Sequence, residues 1–182
     1  NTINKDLADV LGNFITRVTK FSFSKFGDKI PRNNEFGELE KKTIEEIEKY
    51  YVSYNYFLSK IEIRKASQEL RNIWVIGNEY LQKAQPWAIF KYDENKTRMI
   101  IRFSFNLIYF YSLISEPFIP SACNTIRKNF GFNKKSKWPE NLNFFFENTN
   151  YEKNITPPDI LFPKIADQEK EFFKEKYSGS SL

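Results

Sequence analysis

Asn13 and Arg17 stand four residues apart in a segment whose apolar positions, Leu7, Val10, Leu11, Phe14, Ile15, Val18 and Phe21, recur at steps of three and four. On a helix of that phase the amide and the guanidinium lie one above the other at the rim of the apolar stripe, with Lys20 beside them. A planar amide and a fork of N–H donors make a rigid hydrogen-bonding surface, and a nucleobase edge is one thing it could read. The plainer reading is that Arg17 pairs with an acidic neighbour and Asn13 faces water, as most rim groups do. A second stretch, Gln85-Pro86-Trp87, bears on the choice. The residue before a proline is pushed out of the helical region, so the chain turns at Gln85 and Trp87 follows a fixed corner. The indole there is either an exposed stacking surface or a plug beneath the following helix.

Other chemistry is scarce. The chain contains no histidine, which removes the commonest general base, the usual catalytic triad and most zinc sites. Its single cysteine, Cys123, has no disulfide partner and no histidine to activate it; it reads as a small core residue and suits a reducing, cytoplasmic setting. No catalytic residue and no metal-ligand set is expected. A net charge of +5 fits an anionic partner without requiring one. No run approaches about 18 consecutive apolar residues, so no membrane partner is expected. The polar start shows no secretory signal, and it lies in a sequence that already reads as helix, so the chain reads as a piece of something longer.

These groups need a scaffold, and the spacing supplies one. With 182 residues the chain is long enough for one substantial domain, 1–182. The predicted fold is all-α: an antiparallel bundle of about five long helices plus a short C-terminal one. The helices are expected over Asn4 to Lys25, Glu38 to Ser59, Glu62 to Lys83, Glu94 to Ser115, Pro120 to Phe130 and Asp167 to Tyr177. The fourth is so aromatic that it should lie buried on several sides. Trp74 reads as core. Gly77, in mid-helix, costs about 1 kcal/mol against alanine and so suggests close packing of another backbone. Residues 132–160 read as an irregular wrapping segment pinned by Phe144, Phe145 and Phe146, and 178–182 as a disordered tail. Lys134, Lys135 and Lys137 lack the glycine pattern of a phosphate-binding loop and read as a solvated run. In an up-down bundle the first and third helices can be neighbours, which brings the Pro86-Trp87 corner towards the first helix.

Leu11-Gly12-Asn13-Phe14-Ile15-Thr16-Arg17, Gly77-Asn78-Glu79-Tyr80 running into Gln85-Pro86-Trp87, and Pro117-Phe118-Ile119-Pro120-Ser121 together resemble the anticodon-binding domain of methionyl-tRNA synthetases. Leu161-Phe162-Pro163-Lys164-Ile165 resembles that family's closing segment, where the chain folds back on the bundle. The likeness runs from about Asn4 to Tyr177.

The resemblance implies recognition of the CAU anticodon of a methionine tRNA. Trp87 would stack on its first base, a cytosine, while Asn13 and Arg17 hydrogen-bond that base and its surroundings. Stacking accepts any base, so discrimination has to come from the amide and guanidinium. Lys20, Lys25, Lys83 and Arg127 are candidate phosphate contacts. Asn78 is expected to hold the corner before Pro86. The resemblance also implies a catalytic domain that uses ATP with Mg2+ to attach methionine; its histidine-containing motif and lysine-serine loop have no counterpart here, and no cofactor is expected for this chain. Two alternatives stay open: a helical module that docks a protein through exposed aromatics, and the corresponding domain of a leucine, isoleucine, valine or cysteine enzyme. The Pro86-Trp87 corner argues against the latter.

Overall fold

Apolar residues at helical spacing recur along most of the chain, and helices are what they form. The computed structural model describes residues 3–32, 35–132, 137–148, 155–156 and 161–177. The first helix begins with π winding over Ile3–Gly12 and continues as α1, Asn13–Phe26. There follow α2, Glu38–Ser59; α3, Ile63–Ala84; the single turn α4, Pro86–Ile89; α5, Glu94–Ile114; α6, Pro120–Asn129; α7, Leu142–Asn148; and α8, Asp167–Tyr177. The described residues are all-α, as the spacing predicts. The differences are the π opening of the first helix, the extra turn α4, and α7 inside a segment expected to be irregular.

Local chemistry sets most boundaries. At the start of α2 the Glu40 carboxylate accepts the Gly37 N–H at 3.0 Å, and at the start of α5 the Asp93 side chain accepts the Lys96 N–H at 2.8 Å. Helix α3 stops at Gln85, whose left-handed backbone (φ 44°) precedes a proline that has no N–H to donate. Gly131 (φ 65°) follows α6, the conformation glycine adopts without penalty.

Long-range contacts fix the arrangement. Arg71 of α3 meets Asp6 at 2.6 Å, and the Asn78 amide donates to the Val10 carbonyl at 3.0 Å. The numbers rise together, so α3 runs parallel to the first helix. The Tyr80 hydroxyl, late in α3, donates to Glu40, early in α2, at 2.6 Å, so α2 is antiparallel to α3. The α3–α5 contact has one tight point: a Cβ at Gly77 would strike the Tyr111 hydroxyl, so what approaches this glycine is a side chain and not a backbone. Every residue from Met99 to Ser115 is buried, which makes α5 the central element. Trp74 is core, its indole N–H donating to the Ser115 hydroxyl at 3.1 Å.

Around this core the later chain wraps. Phe146 is buried and Phe145 half-buried against Phe110, while Phe144 faces solvent. Trp138 stacks on Tyr51 and Tyr54. The remainder of the expected wrapping segment (133–136, 149–154 and 157–160), with Lys134 and Lys135, and the 178–182 tail lie outside the described residues. Residues 161–165 close back on the first helix: Asn4 exchanges two hydrogen bonds with the Ile165 backbone at 2.9 and 2.8 Å, and Lys164 pairs with Asp9. Among the described residues no helix is long and apolar enough to cross a membrane.

Candidate functional site

Phe14, Ile15 and Val18 turn one face of α1 into the core, and that placement puts Arg17 at its edge, half-buried. Across from it stands the corner after α3. Gln85 turns the chain, Pro86 is buried and starts α4, and Trp87, second in that turn, is 39% exposed. The Arg17 guanidinium lies over the Trp87 ring, 4.8 Å from its centroid. A plane of N–H donors on an aromatic face is a cation–π contact, worth about 0.5–1 kcal/mol at such an exposed place. So Arg17 rests on an indole and, among the described residues, on no carboxylate, and Trp87 is no buried plug. Asn13 opens α1, exposed, one turn before Arg17; Lys20 is exposed one turn after it.

The arrangement continues beyond this pair. Phe90, three residues after Trp87, meets Phe21 and Phe26 edge-on with centroids 6.2 and 5.8 Å apart. The Lys25 ammonium lies 5.1 Å from the Phe90 centroid, and the Arg98 guanidinium 4.8 Å from that of Phe26. Arg98 also donates twice to Glu94, at 3.0 and 2.6 Å. Sequence reasoning missed Phe26, Phe90 and Arg98. The available signal was the three-residue step from Trp87 to Phe90, which puts both rings on the α1 side of a one-turn helix.

Two expectations need correction. Arg127 is not placed for a phosphate: its side chain is 6% exposed, and its guanidinium donates to the Ser112 carbonyl at 2.7 Å and to both oxygens of Glu116 at 2.6 and 3.3 Å. Burial makes it a brace between α6 and the end of α5. Asn78 does not hold the Pro86 corner; its amide reaches the Val10 carbonyl, where the π winding nears its end. Lys83 is exposed in the last turn of α3, before the corner. Cys123 sits fully buried on α6, and burial pushes its thiol up to about 12, so it stays protonated and inert near neutral pH.

Comparison with known proteins adds a family. The model of the anticodon binding domain of methionyl tRNA ligase matches residues 30–182. The chain belongs to that family. Among its relatives are the methionine–tRNA ligases of Cereibacter sphaeroides (strain ATCC 17025 / ATH 2.4.3), 43% identical over 98% of this chain, and of Jannaschia sp. (strain CCS1), 44% identical over 97%. The chain spans only 31% and 30% of those two proteins. The fold of this domain is also that of Mycobacterium tuberculosis methionyl-tRNA synthetase in its free state, with a TM-score of 0.77 at 18% identity, over 91% of this chain and 34% of that one. The same protein in complex with methionyl-adenylate gives 0.76 at 18% identity, over 90% of this chain and 32% of that one. Trp87 falls inside the region matched by the family model; Asn13 and Arg17 precede it, within the alignments to the whole ligases. With the family shown to be the methionine one, the leucine, isoleucine, valine and cysteine alternatives fall away.

Proposed function

We propose that this domain reads the CAU anticodon of methionine tRNA within a longer ligase that attaches methionine to that tRNA in the cytoplasm. The observation that carries the reading is a guanidinium held 4.8 Å over a solvent-open indole, with an amide one helical turn away. Trp87 stacks on the first anticodon base, and this grip contributes about 1–3 kcal/mol whatever the base. Arg17 and Asn13 read the base by its hydrogen-bonding edge. A wrong base leaves their donors unpaired in a closed contact, which costs more than a lost stack. Lys20, Lys25 and Lys83 meet phosphates. ATP with Mg2+ serves the catalytic part of the longer protein and has no residues assigned to it here.

The test uses the full-length ligase carrying this domain and transcripts that differ only in the first anticodon base. Trp87→Ala should weaken recognition of every transcript by roughly 5- to 150-fold, the equivalent of the lost stack. Arg17→Ala should reduce the preference for cytosine. If Arg17→Ala charges all transcripts as the parent does, the assignment of the reading role to Arg17 fails.

A further inference from the structure

Beyond the Arg17–Trp87 pair, two further cations on the same side, each seated on a ring, form a row along α1, α4 and the start of α5: Lys25 over Phe90, then Arg98 over Phe26. The rings interlock, since Phe90 touches both Phe21 and Phe26 edge-on. Cations on such pedestals gain little stability at exposed positions. What the pedestals do is hold long, flexible side chains in place, so less rotamer freedom is lost when a ligand arrives. Two acidic groups near this row are already engaged: Glu94 is bonded to Arg98, and Asp93 caps α5. The row therefore offers cationic groups held in place, Lys25 exposed and Arg98 sharing its charge with Glu94, beginning at the residue that takes a base.

We infer that Lys25 on Phe90 and Arg98 on Phe26 form a phosphate track that binds the RNA backbone adjoining the base stacked on Trp87. This rests on the proposed anticodon reading and extends it from a base to the strand that carries it. Phosphate contacts position a strand without reading its sequence, so the track supplies affinity and register while Arg17 and Asn13 supply choice.

The experiment measures affinity of the full-length ligase for two anticodon stem-loop RNAs, one with CAU and one with the first base replaced, over a range of salt. Lys25→Gln combined with Arg98→Gln should weaken both RNAs by the same factor, leaving their ratio at the parent value. It should also make the log–log salt dependence shallower by about 1.4, two single-strand phosphates' worth. Phe90→Leu, which keeps both charges but removes the pedestal of Lys25, should weaken both RNAs by a smaller common factor. Parent affinity and parent salt slope in the double variant would overturn the track, as would a change in the ratio of the two RNAs. Trp87→Ala keeps the two proposals apart: if it binds CAU as the parent does, the base-stacking reading fails, whereas the track fails only through the Lys25 and Arg98 variants.

Discussion

The hydroxyl of Tyr111 on α5 fills the volume that a side chain at position 77 on α3 would need, while it donates to the Ile73 carbonyl one turn earlier at 3.1 Å. The glycine therefore serves a particular helix–helix contact. Gly77→Ala gains about 1 kcal/mol of helix propensity. It also displaces a buried, hydrogen-bonded phenol, and overpacking of that kind costs about 1–3 kcal/mol. We expect a net loss of stability in denaturant unfolding, and recovery when Tyr111→Phe is added. A Gly77→Ala chain as stable as its parent would show that the phenol yields without cost.

Ile61 is the mirror case. It is 79% exposed and sits just past α2 with φ 59°, closing the helix through bonds from its own N–H to Leu58 and from the Glu62 N–H to Phe57. A β-branched residue pays about 1–2 kcal/mol for that left-handed conformation, which glycine adopts freely. Ile61→Gly should raise the melting temperature by roughly 2–4 °C per kcal/mol recovered. A lower melting temperature would mean that the side chain makes a stabilising contact.

Arg127 separates structural from RNA-binding arginines. Removing one partner of a buried ion pair costs about 3–5 kcal/mol, and the half-exposed Glu116 reduces that to something on the order of 1–3. Arg127→Gln is expected to unfold at lower denaturant yet keep the parent's RNA affinity and salt slope. Loss of RNA binding in a chain that remains folded would return Arg127 to the phosphate contacts.

Stability should fall at alkaline pH. Burial pushes the Cys123 thiol from its ordinary 9.0 to about 12, and Tyr51, buried near Trp138, from 10.0 to about 12. Above pH 9 the unfolded chain loses these protons and the folded chain keeps them. The unfolded state then binds fewer protons, and stability declines as pH rises. The contribution is whole below pH 9 and exhausted near 12. Unfolding followed from pH 8 to 11 should show this decline, and Cys123→Ala should delay its onset towards pH 10. An identical profile for the two chains would remove Cys123 from the account.

Residue spacing alone dictates the helices and the corner that matters most. Apolar spacing is a local record of which face is buried, and proline at 86 forces the break at Gln85 wherever the chain goes next. For the same reason Asn13 and Arg17 were legible as neighbours, because four residues on one helix settle their relation. What each polar group meets depends instead on how the helices pack. Arg17 found an indole from the end of α3, Arg127 found Glu116, and Asn78 found Val10 in place of the corner. Nothing in the spacing separates these outcomes, because a charge at a helix rim takes its partner from whichever element packs opposite. The Lys25–Phe90 and Arg98–Phe26 contacts were hidden likewise, since each joins residues from different helices.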